Sequence, residues 1–167
     1  MENKDRKSHF FNEKFKPSAG VIICTPEGII LVKERKDNFV SFHGGIKKVE
    51  KIFYKLPGGK SEICDKEERE TALREVLEET GLNLYYKRDQ MSLEDVIIRC
   101  GFRHAIFKIH LPFLPILRIS NEIEDVIIVS PLEWRELRRE NEILRWHAQA
   151  VEEILPEFSG YIETVYA

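Results

Sequence analysis

The chain has 167 residues, of which 43% are hydrophobic and 33% are charged. This length and composition favour a single globular domain with its own core and exclude a chain that is disordered throughout. The net charge of −3 at pH 7 gives no support for a nucleic-acid surface, so nucleic acid is not an expected partner. Three widely separated cysteines form no CxxC pair, which argues against a zinc ribbon or a thioredoxin motif and fits a reducing compartment.

Residues 1–16 are polar and basic, and we expect them to form a leader in front of a single domain at residues 17–167. The leader lacks the apolar region of a secretory signal peptide. No apolar run in the chain approaches the roughly 20 residues that a membrane-spanning helix needs. The sequence therefore predicts a cytoplasmic protein without a membrane partner, and it leaves a homodimer open.

The first half of the domain begins with β-structure. Two β-rich runs, residues 18–24 and 28–34, flank the turn sequence TPEG and predict a β-hairpin. Residues 37–51 contain a Gly-Gly pair and predict a loop or a loose hairpin. Residues 52–56 predict a short strand that leads into a Pro-Gly-Gly turn.

The clearest helix signal covers residues 65–80 and ends at Gly81, which suits the left-handed conformation that terminates helices. Asp65 is predicted to cap the N-terminus, with Glu68 as its partner in a capping box. The stripe predicted to face the core consists of Leu73, Val76, Leu77 and Thr80. The acidic residues on the other side of this helix are therefore predicted to face solvent.

Three carboxylates of this helix, those of Glu75, Glu78 and Glu79, have the spacing that places side chains on one helix face. Like charges at this spacing repel each other unless a positive charge offsets them. A divalent cation such as Mg²⁺ would do so, since it prefers oxygen ligands. Arg74 lies one helical turn before Glu78 and is predicted to pair with it. The helix alone also fits a solvated charged face without a ligand.

The second half of the chain adds apolar segments and two helices. The apolar segments are residues 82–86, 96–100 and 105–111, together with a buried-strand candidate at residues 126–129. Ser130, followed by proline and then glutamate at the third helical position, starts a short helix that ends near Leu137. Residues 141–155 form a second amphipathic helix. Strands that lie between helices predict an α/β fold with a mixed sheet and helices on its faces.

The segments LPGGK and REVLEETGL resemble the signature of the Nudix hydrolases, also called MutT-like enzymes. In that family a glycine, a loop and an REUxEExGU helix form the catalytic segment, where U is a bulky aliphatic residue. The second segment matches this pattern at every fixed position. The resemblance implies a Nudix-like α/β/α sandwich with a mixed β-sheet. It also implies hydrolysis of a diphosphate linkage with Mg²⁺, or alternatively Mn²⁺, as the cofactor.

The spacing between the two segments departs from the usual family pattern. From Gly59 to Arg74 the chain has one residue more than the family usually has, which places an extra residue in the loop at residues 61–64. Asp65 then stands in for the glutamate that the family carries in this loop. We expect Asp65 to act as a helix cap and as an anchor for the loop.

Carried over to this sequence, the resemblance makes Glu75, Glu78 and Glu79 the metal ligands. Catalytic roles are assigned to Arg74, Glu78, Glu79 and Glu122. Glu122 precedes the candidate strand at residues 126–129 and is expected to be the general base, with an acidic surface loop as the alternative. Predicted substrate contacts are Arg35, Gly58, Gly59 and Lys60. Lys36 is a further phosphate-contact candidate, and a solvated charge is the alternative for each basic residue in this group.

The substrate implied by the resemblance is a small nucleoside diphosphate derivative: a nucleoside triphosphate, ADP-ribose, a nucleotide sugar or a dinucleotide. The proline and tyrosine that mark the ADP-ribose and diadenosine polyphosphate subgroups are both missing after the motif. Phe39 and Phe42 either stack on a base or line the core. The same two alternatives apply to Phe102, Phe107, Tyr85 and Tyr86, for which the core is favoured. His104 shows no ligand spacing, and Trp146 and His147 are expected to pack on the last helix.

Two other functions fit the same fold. The first is a nucleotide-binding sensor or scaffold without turnover, which the three intact glutamates disfavour. The second is an RNA-end pyrophosphohydrolase, which would need a basic groove that the net charge of −3 does not suggest. The leading prediction is therefore a hydrolase of a small nucleotide derivative.

Overall fold

A computed structural model of the protein describes residues 14–35 and 51–159. The strands are β1 (Lys16–Thr25), β2 (Gly28–Glu34), β3 (Gly58–Lys60), β4 (Ser92–Arg99), β5 (Phe102–His110) and β6 (Ile123–Val129). The helices are α1 (Glu68–Thr80), α2 (Pro131–Arg139) and α3 (Arg145–Ile154), with 3-10 turns at Tyr85–Gln90 and Pro156–Phe158. Most of the predicted leader and of the predicted loop lies outside the described residues, and so do Lys36, Phe39 and Phe42.

The described strands form one mixed sheet in the order β4-β5-β1-β2-β6, and β3 pairs with β1. β1 and β5 run parallel, whereas the other pairs are antiparallel. Consecutive residues of β1 are buried on both faces, since Ile22 belongs to one core cluster and Val21 and Ile23 to the other. A strand buried on both faces needs a helical layer on each side.

Helix α1 covers one face of the sheet, and α2 and α3 cover the other. Leu73 of α1 packs in the same cluster as Val21, whereas Trp134 of α2 and Val151 of α3 pack in the cluster of Ile22. This arrangement confirms the predicted α/β/α sandwich with a mixed sheet. No helix within residues 14–35 and 51–159 is long and apolar enough to cross a membrane.

The sheet contains a gap between β1 and β2 that positions the motif. The two strands pair only beside their turn, where Cys24 faces Ile29 and Thr25 faces Gly28. Farther along, residues 54–60 occupy the gap. Lys55 pairs with β2 through a single bridge, and β3 then pairs with residues 18–20 of β1. The gap therefore brings Lys55 and the glycines into the middle of the sheet.

The predicted strand at residues 52–56 and the predicted glycine turn are both wrong. Within residues 52–56 only Tyr54 and Lys55 form isolated bridges, and the glycines themselves form strand β3. A Cβ on Gly58 would lie 2.2 Å from the Ala19 carbonyl oxygen, so this close strand pairing needs glycine. The turn prediction depended on the local sequence alone. It was wrong because the glycines pair with β1, which is distant in sequence.

The start of α1 also differs from the prediction, whereas its end does not. The helix begins at Glu68 with Glu67 at the N-cap position, so the capping role predicted for Asp65 is wrong. The Asp65 carboxylate accepts hydrogen bonds from Arg74 and Thr71 instead. Gly81 ends the helix at φ 76°, which confirms the predicted left-handed stop.

The predicted faces of α1 are wrong at two positions. Leu77, predicted to be in the core, is 39% exposed, and Glu79, predicted to face solvent, is only 4% exposed. The other stripe residues, Leu73, Val76 and Thr80, are buried as predicted. Glu79 can be buried because a lysine and a backbone N–H contact its carboxylate, as described below.

The second half of the chain follows the sequence prediction more closely. The capping box at Ser130 is confirmed, since the Glu133 N–H donates to Ser130 Oγ at 3.2 Å. The apolar residues 82–86 join no strand and lead into a 3-10 turn. The last helix starts at Arg145 rather than at residue 141, because Ile143 forms a bridge with Tyr54.

Candidate active site at the glycine strand and helix α1

A cavity of about 600 Å³ lies where β1, β3 and β5 approach α1 and the start of α3. Its acidic lining residues are Glu34, Glu62, Glu75, Glu79 and Glu122. The glycines of β3 and the lysines Lys55 and Lys60 also line it. Its aromatic lining residues are Phe102, His104, Trp146 and His147. The cavity thus combines acidic groups, glycine backbone and aromatic rings in one place.

Glu79 and Lys55 hold the first glycine of β3 from two directions. The Gly58 N–H donates to Glu79 Oε1 at 2.6 Å, and Lys55 Nζ donates to the Gly58 carbonyl at 2.8 Å. The same ammonium lies 3.3 Å from Glu79 Oε2 and 3.3 Å from Glu34 Oε1. The two side chains therefore fix the position of Gly58 and compensate each other's charge.

Burial governs the electrostatics of this group. It raises the pKa of Glu79 to about 7, although the nearby Lys55 ammonium lowers it. Burial alone would lower the pKa of Lys55, but the charges of Glu79 and Glu34 outweigh it and raise that pKa. Lys55 was not identified as a site residue from the sequence, where its one signal is its place directly before LPGG.

Glu75 lies against the second glycine of β3. A Cβ on Gly59 would lie 2.6 Å from Glu75 Oε1, so the observed position of this carboxylate depends on glycine. Arg74 Nη1 lies 3.1 Å from Glu75 Oε1 and 3.2 Å from Glu78 Oε2. The predicted pair of Arg74 and Glu78 is thereby confirmed, and one guanidinium joins both carboxylates.

Asp65 orients Arg74 from the loop in front of α1. Its carboxylate accepts hydrogen bonds from Arg74 Nε at 3.1 Å and Nη2 at 2.9 Å, and from the Glu62 N–H at 2.9 Å. Burial alone would raise the pKa of Asp65, but these bonds and one from Thr71 outweigh it and lower that pKa. The predicted anchoring role of Asp65 in the longer loop is confirmed.

The remaining predicted site residues differ in their position. Glu122 lines the cavity from the segment before β6, and its carbonyl accepts a hydrogen bond from the Arg35 N–H at 3.0 Å. Arg35 is exposed and is not among the cavity-lining residues in the part of the chain that is described. Lys60 lines the cavity with its ammonium 5.2 Å from the centroid of the Phe102 ring.

A comparison with protein-family models matches the NUDIX domain over residues 14–157, which is most of the chain. The chain belongs to the Nudix family. The predicted membership of the Nudix family is thereby confirmed. A comparison with curated proteins finds no significant match.

Solved structures show the same Nudix fold. A bifunctional NMN adenylyltransferase/ADP ribose pyrophosphatase from Francisella tularensis, complexed with AMP and a Mn ion, is 20% identical at a TM-score of 0.62, covering 92% of this chain and 46% of that chain. The MutT protein from Methanosarcina mazei Go1 is 18% identical at a TM-score of 0.58, and the match covers 88% of this chain and 97% of that chain. The NUDIX domain of NrtR from Shewanella oneidensis, complexed with ADP ribose, is 16% identical at a TM-score of 0.59, and the match covers 84% of this chain and 86% of that chain. This Nudix chain spans just under half the length of the bifunctional protein.

The Nudix helix α1 offers donors that suit a hard divalent cation. Glu75, Glu78 and Glu79 supply carboxylate oxygens, which Mg²⁺ and Mn²⁺ prefer. Among the residues that the structure describes, no three acidic, histidine or cysteine side chains converge as a ready-made metal centre. Two of the three carboxylates already have other partners. The Glu79 carboxylate accepts a hydrogen bond from the Gly58 N–H, and the Glu78 carboxylate accepts one from Arg74. Burial raises the pKa of Glu75, so added positive charge would stabilise its ionised form.

Four cavity residues were not identified as site residues from the sequence. Phe102 had core packing as an alternative, His104 showed no ligand spacing, and Trp146 and His147 were assigned to packing. β5 and α3 bring these residues together although they are far apart along the chain. No spacing rule connects such positions, so only the fold reveals them as one surface.

Proposed function

We propose that the protein hydrolyses a diphosphate linkage in a nucleoside diphosphate derivative, with Mg²⁺ or Mn²⁺ as the cofactor. The observation that carries this proposal is the contact between the glycine strand and the acidic helix. Gly58 and Gly59 lie directly against the carboxylates of Glu79 and Glu75 on the wall of a cavity. A diphosphate next to these glycines would meet backbone rather than side chains and would lie beside the metal-binding acids.

In this proposal each charged residue has a distinct task. Glu75, Glu78 and Glu79 would hold the cation, which when bound would neutralise the diphosphate and lower the pKa of a bound water. Arg74 keeps Glu75 and Glu78 together, and Lys55 keeps Glu79 against Gly58. Glu122, which reaches the cavity from another element, takes the proton of the attacking water.

The substrate class rests on the cavity and on the relatives. The aromatic rings of the cavity suit a nucleoside, and two structural relatives carry AMP and ADP ribose in their solved forms. Candidate substrates are nucleoside triphosphates, ADP-ribose, nucleotide sugars and dinucleotides. The cytoplasmic location stays a prediction, and a homodimer stays open.

The test is hydrolysis of these four substrate types by the purified protein with Mg²⁺, with Mn²⁺ and with a chelator. We expect at least one substrate to be cleaved in a metal-dependent reaction. Glu78→Gln should lower its turnover at least about 100-fold, because it removes a charged ligand without changing the size of the side chain. Glu70→Gln is the matched control, since Glu70 lies on the same helix and contacts the Lys66 N–H.

Two results would contradict the proposal. The first is full activity of Glu78→Gln, which would show that the acidic face of α1 takes no part in the reaction. The second is binding of a nucleotide without cleavage of any of the four substrate types, which would favour the non-catalytic sensor instead.

A further inference from the structure

Strand β4 forms one edge of the sheet. In the part of the chain that the structure describes, β5 is its only strand partner. The register shifts once, between Leu93 and Asp95, and residues 95–99 then pair with β5 residue by residue. The unpaired side of an edge strand presents backbone groups that can pair with another chain. We refer to the outer side of residues 95–99 as the free edge.

The hairpin turn between β4 and β5 determines which backbone groups point to the free edge. Cys100 and Gly101 both have positive φ angles, 51° and 77°, as a two-residue type I′ turn requires. The residues on either side of such a turn are hydrogen-bonded to each other, so the backbone groups of Arg99 face β5. The direction of these groups alternates along a strand. The N–H and C=O groups of Val96 and Ile98 therefore point outward.

Apolar side chains accompany these backbone groups. Val96 pairs with Ala105, which packs in the core cluster under α1, so Val96 and Ile98 lie on the α1 face of the sheet. Ile98 is 51% exposed, and Val96 is half-buried. Ile97 points to the other face, where it packs against the core cluster under α2 and α3. Helix α1 therefore leaves the apolar side chains at the free edge uncovered.

A negative and a positive charge lie at the two ends of the free edge. Asp95 is half-buried, and Arg99 is exposed. Both lie on the face of α3, because side chains alternate along the strand and the Arg99 guanidinium lies 5.9 Å from the centroid of the Trp146 ring. Asp95 Oδ1 accepts a hydrogen bond from the Val96 N–H at 2.8 Å.

The sequence of the free edge, DVIIR, is complementary to itself in the antiparallel direction. When Ile97 faces Ile97 of a second copy, Asp95 faces Arg99 and Val96 faces Ile98. Opposite charges and β-branched pairs directly across two strands stabilise an antiparallel pair. The backbone matches as well, because Val96 and Ile98 are the residues whose hydrogen-bonding groups point outward.

The neighbouring registers lack this match. Because backbone groups alternate in direction, an antiparallel copy can shift only in steps of two residues. One step in either direction places Ile97 opposite Asp95 or opposite Arg99, and neither charge then faces an opposite charge. The free edge therefore specifies a single register.

We propose that the free edge is a dimer interface, at which β4 of a second copy of this chain pairs antiparallel across a twofold axis so that one sheet continues through both copies. A twofold axis lets the same surface serve on both copies. The carbonyl of the partner's Ile98 takes over the Val96 N–H, and the Asp95 carboxylate pairs with the partner's Arg99. This pairing goes beyond the proposed function and does not depend on it, because it involves no turnover.

The decisive experiment exchanges the two charges of the free edge. Asp95→Arg and Arg99→Asp each place like charges opposite each other, whereas the double variant restores opposite charges. In sedimentation at low salt, the wild type should be dimeric at about 0.1 mM, and each single variant should dimerise at least about 10-fold more weakly. The double variant should regain the wild-type dimerisation constant within about 3-fold. Glu124→Arg, an exposed charge reversal on the opposite edge strand β6, is the control and should dimerise as the wild type does.

A cross-link tests the register directly. Ile97 faces its own copy in a pair that exchanges no backbone hydrogen bonds, where the Cα atoms lie about 4.5 Å apart and suit a disulfide. Ile97→Cys should therefore form a covalent dimer with copper phenanthroline as the oxidant. The background is Cys64→Ser with Cys100→Asn, which removes both exposed thiols, and asparagine tolerates the positive φ. Ile98→Cys is the control and should cross-link at least about 10-fold more slowly, since it faces Val96.

The proposal is overturned if the wild type is monomeric at about 0.1 mM, or if both single charge variants dimerise as the wild type does. It is also overturned if the double variant is folded by circular dichroism but stays monomeric, or if Ile98→Cys cross-links as fast as Ile97→Cys. A monomer that hydrolyses its substrate would contradict the dimer alone. A dimer of the proposed register that hydrolyses no substrate would contradict the proposed function alone.

Discussion

Lys55 places a positive charge between two carboxylates that would otherwise repel each other in a partly dry site. Its ammonium lies 3.3 Å from both Glu79 and Glu34, and the Lys55 and Glu79 side chains are only 17% and 5% exposed. Pairs buried to this degree contribute little net stability when both partners are present. Removal of one partner is costly, because the other charge stays buried without compensation.

We therefore expect Lys55→Met to lower the free energy of unfolding by about 3 kcal/mol, measured by urea denaturation at pH 8. Lys51→Met is the control, because Lys51 pairs with Glu142 at an exposed position where such pairs are worth about 1 kcal/mol or less. A similar loss of stability in both variants would show that Lys55 compensates no more charge than an exposed lysine does.

A double variant separates charge compensation from packing. Glu79→Gln keeps an oxygen that can accept from the Gly58 N–H but removes the charge that Lys55 compensates. Lys55→Met combined with Glu79→Gln should be less destabilised than the sum of the single variants, by at least about 1 kcal/mol. Additive losses would contradict a direct interaction between the two charges.

In strand β3, close contacts between backbones restrict which residue can occupy a position. Gly58 pairs with β1 so closely that a Cβ would lie 2.2 Å from a backbone oxygen of Ala19, which cannot move away. Gly20, on the partner strand, has its nearest atom at 3.6 Å, an ordinary contact. Gly58→Ala should lower the free energy of unfolding by about 3 kcal/mol, and Gly20→Ala by less than about 1 kcal/mol. Equal effects in urea denaturation would contradict this pairing.

Gly59 has a different neighbour and should respond differently to the same change. A Cβ there would lie 2.6 Å from Glu75 Oε1, which is the movable end of a side chain. Gly59→Ala should therefore shift the Glu75 carboxylate, lowering turnover at least about 10-fold while the stability changes by less than about 1 kcal/mol. A large loss of stability with unchanged turnover per folded molecule would show that Glu75 does not need this position.

Two helix ends whose signals lie within a few residues were predicted correctly from the sequence. The capping box at Ser130 and the left-handed stop at Gly81 depend on adjacent residues, and both were found as expected. Asp65 was misassigned as a helix cap because its actual partner, Arg74, belongs to the same segment but meets it only when the loop folds back. Leu77 and Glu79 were each predicted on the wrong face of α1 for a similar reason. The partner of the buried Glu79 is Lys55, which lies outside the helix.

The candidate site was predictable to the extent that it follows the Nudix signature. The signature places Glu75, Glu78 and Glu79 on one helix, and the structure adds the partners that hold them. The positions of Lys55 and of the aromatic cavity residues depend on how β5, α3 and the gap between β1 and β2 come together. The spacing of residues along a single sequence does not indicate contacts between such distant elements.

At the level of the whole molecule, His147 connects the helical layer formed by α3 to the segment that fills the gap in the sheet. Its Nδ1 accepts a hydrogen bond from the Leu56 N–H at 3.0 Å, and its side chain lies in the interior next to Trp146. This bond requires an unprotonated Nδ1. Protonation of His147 would therefore break the contact between α3 and the glycine segment.

The pH dependence of stability follows from this contact. Burial, together with the charge of Lys55 and the nearby His104, holds the pKa of His147 well below its ordinary value of 6.5. The unfolded chain then binds a proton near pH 6.5 that the folded protein does not bind. The contribution of His147 to the stability is therefore complete above pH 6.5 and decreases as the pH falls.

In urea denaturation between pH 8 and pH 5, His147→Asn should lose less stability on acidification than the wild type, by up to about 1 kcal/mol per pH unit. Asparagine keeps an acceptor for the Leu56 N–H but does not titrate. Parallel slopes for the wild type and His147→Asn would show that the protonation of His147 does not control the contact between α3 and the sheet.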